Sequence, residues 1–198
     1  MAEMLRLFIA VELPAPVLDA LADLQRELAR AAPPRSVRWV RPEGIHLTLK
    51  FLGDTPAGRQ RDIEAGMAQA ASGIAPFALV VGGLGCFPNF HRPRVVWVGM
   101  SGELGALHAL RDAVEAAIAP LGFPTEARAF SPHLTLGRVS RDASKGDVAA
   151  LGRALERLEV GALGEFTVGR FSLIRSQLQP DGAVYTALCH VTLEAARE

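Results

Sequence analysis

The apolar positions of the chain alternate between two spacings, one typical of strands and the other of helices. Leu5 to Leu13 is a dense apolar run, which predicts a mostly buried strand that ends at Pro14. Apolar residues then recur every three or four positions up to Ala31, as in an amphipathic helix. The same patterns predict three more helices, over 56–72, 101–118 and 144–158, the second with Ser101 as its N-cap. They predict strands over 77–84, 94–100, 166–177 and 183–193.

Two further strand-like segments, 46–49 and 133–136, both read His-Leu-Thr-Leu. Each follows a strand, a helix and a proline-containing connection, and Leu7 to His46 spans thirty-nine positions where Val95 to His133 spans thirty-eight. The order of elements therefore looks duplicated. The predicted fold class is α+β: residues 1–198 form a single bilobal domain with pseudo-two-fold symmetry, in which two small, mostly antiparallel sheets are backed by helices and flank a central cleft.

The repeated motif places chemically active side chains on one face of each strand. Side chains alternate along a strand, so His46 and Thr48 share a face, as do His133 and Thr135, while the leucines face the core. A phosphodiester can be cleaved by a base, an acid and hydrogen-bond donors to the phosphoryl oxygens. Two histidines and two threonines supply these groups, and a cyclic phosphate, in which the leaving group is tethered, suits them best.

Other interpretations of these residues fit the sequence less well. A single His-x-Thr is usually structural, but the same choice occurs twice in matching contexts. Neither histidine is followed two to four residues later by a second His, Cys, Asp or Glu, so no metal site is predicted. The sequence also lacks a Gly-x-Ser-x-Gly elbow, a phosphate loop and a dinucleotide fingerprint.

Composition narrows the class of protein further. With 49% hydrophobic residues and 21 basic against 21 acidic residues, the chain is expected to be globular and not to coat long nucleic acids. Cys86 and Cys189 lie in apolar runs and are expected to be buried free thiols. The start of the chain does not resemble a signal peptide and no segment is long enough to span a membrane, so a cytoplasmic location is expected.

Beyond the two motifs, the chain resembles the 2H phosphoesterase superfamily, and within it the RNA 2',3'-cyclic phosphodiesterases, also called 2'-5' RNA ligases. The resemblance covers nearly the whole chain. Besides the two motifs, it is carried by the segments 6–11, 50–53, 86–89, 94–99, 137–138, 176–178, Gly182 and 185–186.

This resemblance implies hydrolysis of an RNA-terminal 2',3'-cyclic phosphate to a 2'-phosphomonoester, with no metal or other cofactor. It also implies roles for the two histidines, with His46 as proton donor to the 3' oxygen and His133 as the proton acceptor that activates water. The reverse reaction would give 2'-5' ligase activity. The expected partner is an RNA end or a small cyclic nucleotide, and the chain is expected to be a monomer. Two alternatives stay open: a non-catalytic module that binds RNA ends, and the same fold acting on ADP-ribose cyclic phosphate or 2'-5' oligoadenylate.

Further residues are candidates for contacts with substrate. Simple alternation places Lys50 on the face of His46, where it can neutralise phosphate charge, and Phe51 in the core. Gly137 can let the strand bend so that Arg138 reaches the cleft. The segment 35–42 predicts either a solvated edge strand or a rim of the substrate site. The remaining substrate-binding candidates are Arg92, Arg94 and Trp39, the last within this arginine-rich segment.

Overall fold

The structure is a computed structural model and describes residues 3–179 and 182–195. Its helices are α1 (Ala15–Ala31), α2 (Gln60–Ala71), α3 (Leu104–Ile118) and α4 (Lys145–Glu156). Its strands are β1 (Met4–Glu12), β2 (Val37–Trp39), β3 (His46–Pro56), β4 (Ser72–Gly73), β5 (Phe77–Phe87), β6 (Val95–Gly102), β7 (His133–Val139), β8 (Ala162–Val168), β9 (Arg170–Gln179), β10 (Gly182–Thr192) and β11 (Glu194–Ala195). No helix among these residues is long and apolar enough to cross a membrane.

The strands form two large antiparallel sheets of the same design. The first sheet has the order β10-β9-β1-β3, and the second has the order β8-β5-β6-β7 with β2 added beyond β7. Each motif strand, β3 or β7, therefore pairs with the strand that precedes the helix of its own repeat, β1 before α1 or β6 before α3. The prediction of an α+β fold with duplicated, mostly antiparallel sheets is confirmed. Strands β4 and β11 add a short parallel pair.

The helices interlock the two sheets. Helix α1 follows β1 of the first sheet but packs against β8 of the second, whereas α3 follows β6 of the second sheet and packs against β3 of the first. Their inward faces are apolar, for example Leu21 and Leu28 on α1 and Leu107 and Leu110 on α3, which are fully buried. Burial of each such leucine stabilises the fold by about 1.5–3 kcal/mol. One continuous core thus joins both sheets to the helices.

Three local predictions from the sequence were wrong. The predicted strand over 166–177 is two strands, because the chain leaves the second sheet with β8 and enters the first with β9, changing sheets at Gly169. Ser101 belongs to β6, and Glu103 is the residue at the N-terminus of α3. Strand β5 extends to Phe87, three residues beyond the predicted end at 84. The sequence Gln-Pro-Asp-Gly at 179–182 also predicts a turn before the last strand, and residues 180 and 181 of that turn lie outside the described ranges.

Both cysteines are free, as the sequence predicted. Cys86 is buried, and this burial raises the pKa of its thiol to about 11. Cys189 is only partly buried, and the pKa of its thiol is also raised, chiefly by burial.

Candidate active site

The first motif lies on the face of the first sheet that points away from the helices. Directly opposite residues of an antiparallel pair share a face, and His46 is opposite Glu12 while Thr48 is opposite Ala10. On the same face, Phe8, Ala10 and Ile174 form a small buried cluster that is separate from the main core. The predicted alternation therefore holds for the histidine and the threonine.

The second motif has the same arrangement in the second sheet. His133 is opposite Gly99 and Thr135 is opposite Trp97, so both motif side chains again share one face, while Leu134 is fully buried on the other. Strands β3 and β7 also contact each other between the two sheets. The fold thus brings the two motif strands side by side, although they are distant in sequence.

Each motif histidine makes the same local hydrogen bond. His46 Nδ1 lies 2.8 Å from the carbonyl oxygen of Gly44, and His133 Nδ1 lies 2.7 Å from that of Ser131. A carbonyl oxygen only accepts, so Nδ1 must carry the proton that is donated in both rings. In the neutral ring, Nε2 is then the free nitrogen, and it can accept a proton or donate one after protonation.

Aromatic rings hold the His46 imidazole in place. It stacks on Phe8, with ring centroids 4.5 Å apart and an interplanar angle of 28°, and meets the edge of Tyr185 at 5.0 Å. Tyr185 also covers Gly44, where a Cβ atom would lie 3.1 Å from Tyr185 Cε2. Glycine at this position therefore lets the tyrosine approach the same segment that accepts the hydrogen bond from His46.

His133 has an equivalent but more open aromatic environment. Phe87 meets its ring edge-on at 4.9 Å and Trp97 lies at 6.2 Å, with Phe87 and Trp97 themselves 5.1 Å apart. Such aromatic contacts contribute about 0.5–1.5 kcal/mol each beyond burial. Both imidazoles are thus held by a backbone carbonyl on one side and by aromatic rings around them.

Burial and a nearby carboxylate act in opposite directions on His46. Burial lowers its pKa from 6.5 to about 4, while the hydrogen bond to Gly44 and the charge of Glu12 each raise it by less. Glu12 is itself held on this face. Ser172 Oγ, which is fully buried, donates to Glu12 Oε2 at 2.6 Å and lies 2.8 Å from His190 Nδ1, and Glu12 Oε2 lies 3.3 Å from the same nitrogen.

The prediction that Lys50 joins this face was wrong. A β-bulge lets Leu49 and Lys50 both turn inward, because Thr48 pairs with Ala10 and Lys50 with the adjacent Ile9. Lys50 is only 4% exposed. Its Nζ donates to Glu115 Oε2 at 2.6 Å and to the carbonyl oxygen of Pro124 at 2.7 Å.

The same bulge reverses the prediction for Phe51. Phe51 is opposite Phe8 in the strand pairing and therefore shares the face of His46. Its side chain is 72% exposed, and its ring centroid lies 6.1 Å from that of Phe8. An equivalent bulge in β7 leaves Leu136 and Gly137 buried and returns Arg138 to the face of His133. The bend predicted for Gly137 is therefore present.

The other substrate-binding candidates, Trp39, Arg92 and Arg94, lie on or beside the second sheet. Trp39 neighbours Arg38 on β2 and points to the opposite side, where it is partly buried against the core, so a contact with substrate is not supported. The segment 37–39 is an edge strand. Arg92 is exposed in the connection from β5 to β6, and Arg94 is exposed immediately before β6; their roles stay predictions.

Within residues 3–179 and 182–195, no three His, Cys, Asp or Glu side chains are grouped so that they could hold a metal ion.

The family described as LigT-like phosphoesterases matches residues 11–97 and again residues 98–185. The chain is a LigT-like phosphoesterase. The two matched segments divide it between the two motif-bearing repeats, in agreement with the duplication predicted from sequence.

Relatives and solved structures extend this result. The chain is 36% identical to an RNA 2',3'-cyclic phosphodiesterase of Methanothermobacter thermautotrophicus, over 91% of this chain and 95% of the relative. It superposes on the crystal structure of TT0787 of Thermus thermophilus with a TM-score of 0.77, at 35% identity over 95% of this chain and 97% of that one. Escherichia coli LigT complexed with 3'-AMP gives a TM-score of 0.74, at 27% identity over 96% and 99%. The prediction of a hydrolase of the 2H phosphoesterase class is confirmed.

Several side chains around the site of this LigT-like phosphoesterase were missed in the sequence. They are Phe8, Glu12, Phe87, Trp97, Ser172, Tyr185 and His190. Strand alternation predicts that Phe8 and Glu12 share one face of β1, because they are an even number of residues apart. No motif in the sequence shows that β1 pairs with β3, so alternation alone does not place these two residues beside His46. The sequence offers no comparable signal for Ser172 and His190, whose strands reach the site only through the sheet order.

Proposed function

We propose that this protein hydrolyses an RNA-terminal 2',3'-cyclic phosphate to a 2'-phosphomonoester without a metal ion, using His46 and His133 as a proton-transfer pair. The observation that carries this proposal is the repeated geometry of the two imidazoles. Each donates through Nδ1 to a carbonyl oxygen and thereby presents Nε2 for proton transfer. The interlocked helices favour the whole chain acting as one bilobal unit.

The proposed reaction has one acid and one base. His133 Nε2 takes a proton from water, whose oxygen attacks phosphorus as the bond to the ribose 3' oxygen breaks, and His46 Nε2 gives its proton to that leaving oxygen. The product keeps the phosphate on the 2' oxygen. Each positioned proton transfer typically contributes 10²–10⁴-fold in rate. Thr48 and Thr135 share the faces of the histidines, and their hydroxyls donate to the non-bridging oxygens as charge develops.

The low pKa of His46 places a condition on its role as proton donor. With a pKa of about 4, the ring is neutral at pH 7 in the free protein. The phosphodiester anion favours the protonated imidazole, and Glu12, directly opposite on β1, already raises the pKa. Binding of the substrate therefore supplies the charge that lets His46 take up the proton that it later donates.

Relatives named as RNA 2',3'-cyclic phosphodiesterases support this substrate class. They also make a non-catalytic RNA-end binding module a poorer account of the chain. Ligation is the same attack on phosphorus with a 5'-hydroxyl in place of water, and hydrolysis prevails because water is abundant. Action on ADP-ribose cyclic phosphate or 2'-5' oligoadenylate is the second candidate, since Escherichia coli LigT was crystallised with 3'-AMP and with NADP+.

One comparison of substrates tests the proposal. An RNA oligonucleotide ending in a 2',3'-cyclic phosphate, ADP-ribose 1'',2''-cyclic phosphate and a 2'-5' linked dimer are incubated with the enzyme in excess chelator. We expect the highest kcat/KM for the RNA end and a product whose ³¹P spectrum is that of a 2'-phosphomonoester. Turnover that requires added metal, a 3'-phosphate product or a clear preference for either of the other substrates would overturn the proposal.

A further inference from the structure

Polar side chains from two strands outside the motifs meet beside His46 on the reaction face of the first sheet. Ser172 of β9 is opposite His190 of β10. On its other side Ser172 is opposite Ala10 of β1, two residues before Glu12, so Glu12 is its diagonal neighbour. Glu12 is in turn directly opposite His46 on β3. These contacts therefore connect all four strands of the sheet.

The carboxylate of Glu12 fixes the direction of each hydrogen bond. A carboxylate oxygen only accepts, so Ser172 Oγ gives its one proton to Glu12 Oε2, 2.6 Å away. The hydroxyl oxygen can then only accept from His190, whose Nδ1 lies 2.8 Å from it and 3.3 Å from Glu12 Oε2. Nδ1 of His190 therefore carries a proton, and Glu12 is held by donors on two different strands.

The network fixes the position of a charge more than it stabilises the fold. Ser172 is fully buried, whereas the side chains of Glu12 and His190 are 41% and 45% exposed. Water screens such partly exposed groups and can replace their contacts, so the contacts contribute little to stability. A long side chain without them would move freely over the surface.

His46 does not hold this carboxylate by itself. Its Nδ1–H is donated to the carbonyl oxygen of Gly44, so Nε2 of the neutral ring presents a lone pair. Burial lowers the pKa of His46 to about 4, so the ring is neutral at pH 7 in the free protein. A Glu12 carboxylate released from its donors would be repelled by the lone pair and would turn toward water, where its charge acts less strongly on His46.

Other charged or titratable groups also face Glu12 and His46. They are Glu43 before β3, Arg170 on the Ser172 face of β9, Tyr185 on β10, and His133 on β7, which contacts β3. None of them is changed in the variants below. A difference between a variant and the wild type therefore reports the position of the Glu12 carboxylate.

We propose that Ser172 and His190 are positioning residues that hold the Glu12 carboxylate opposite His46, where its charge helps this histidine to take up the proton that it gives to the leaving oxygen. This inference rests on the proposed function. It assigns a role in the reaction to β9 and β10, which carry neither motif. Both residues act through Glu12 and not on the substrate.

The pH dependence of kcat for an RNA oligonucleotide ending in a 2',3'-cyclic phosphate tests this role. The alkaline limb reports loss of the proton from His46. In Ser172→Ala, we expect kcat on that limb to fall about threefold to tenfold and the limb to move to lower pH by about 0.5–1 unit, because one pKa unit is a factor of ten in protonation. KM should change less than about twofold, since binding groups are untouched. Ser101→Ala, an exposed serine of β6, is the matched control and should match wild type.

Two substitutions test His190, and its partial exposure makes them tolerable to the fold even if Ser172→Ala unfolds. The side-chain nitrogen of asparagine takes the position of histidine Nδ1 and donates without titrating. His190→Asn should therefore keep the wild-type profile, whereas His190→Leu should move the alkaline limb to lower pH. Equal shifts in both variants, or no shift in His190→Leu, would overturn the role of His190.

A measurement without turnover separates this inference from the proposed function. The ring C–H resonances of His46 are titrated by NMR with uridine 2'-monophosphate bound, and Ser172→Ala should lower the midpoint by about 0.5–1 unit. An unchanged or raised midpoint, or a loss of kcat that is equal at every pH, would overturn the positioning role. Absence of turnover by the wild type together with a lowered midpoint in the variant would overturn the proposed function alone.

Discussion

The buried lysine of the first motif strand gives the sharpest test of how the site is built. Lys50 and Glu115 form an ion pair 2.6 Å long, with side chains 2% and 9% exposed. Replacing one partner of a buried pair leaves an uncompensated charge and costs about 3–5 kcal/mol. For Lys50→Met we expect the lower end, because Arg111 Nη2 lies 3.6 Å from the other oxygen of Glu115 and still faces the carboxylate.

Glu115→Leu should be more harmful than Lys50→Met. It leaves the Lys50 ammonium with only the Pro124 carbonyl and also removes the carboxylate from Arg111. The double variant Lys50→Met, Glu115→Leu replaces the pair by apolar groups and should recover most of the loss. For a chain of this length, a loss of 3 kcal/mol corresponds to a decrease in Tm of about 6–12 °C.

The assay combines urea unfolding with steady-state kinetics well below the transition. Lys145→Met, which removes the exposed lysine at the start of α4, is the control and should stay within about 0.5 kcal/mol of wild type. Folded Lys50→Met should keep wild-type kcat/KM, since this lysine points away from the motif face. A variant of unchanged stability that loses kcat/KM more than tenfold would refute the reasoning and return Lys50 to the substrate site.

Three further predictions follow from the site. The pKa of His46 is about 4 in the folded protein, below its usual 6.5, so the unfolded chain takes up this proton first as the pH falls. The free energy of unfolding should therefore decrease by about 3 kcal/mol between pH 6.5 and pH 4. In urea titrations, His46→Gln should lack this part of the decrease, and an unchanged decrease would contradict the assigned pKa. Glu12→Gln should lower kcat at neutral pH and move the limb of the pH profile due to His46 to lower pH, whereas an unshifted profile would exclude its electrostatic role. Gly137→Ala should cost about 1–3 kcal/mol by overpacking against Val37 and Trp39; wild-type stability would contradict the close packing of β2.

The sequence predicted the fold class and the four motif positions because these depend on local periodicity and on a duplication that is visible in the chain. Alternation alone places His46 with Thr48, and His133 with Thr135, on one face. It then fails for Lys50 and Phe51, because the bulge at Leu49 adds one residue to β3 and exchanges their faces. Nothing in the local sequence marks that bulge, since it is a property of the pairing with β1.

Residues that reach the site from other strands were beyond sequence reasoning for a related reason. Ser172 and His190 contact Glu12 only because β9 and β10 join the sheet of β1 after the chain has crossed from the second sheet. The arginines on both sides of Trp39 in the sequence favour a contact with substrate. Its side of β2 is fixed by pairing with Gly137, and that side faces the core.

In the proposed mechanism, the two repeats share one proton-transfer pair, His46 and His133. It is tested most directly by single-turnover hydrolysis of a 2',3'-cyclic-phosphate-ended oligonucleotide in excess chelator by His46→Ala, His133→Ala and the double variant. His108→Ala, an exposed histidine of α3, serves as the control. We expect each single variant to lose about 10²–10⁴-fold in rate, the double variant to lose far less than the product of the two because the residues act as a unit, and the control to match wild type. Rates in both single variants within tenfold of wild type would contradict the account.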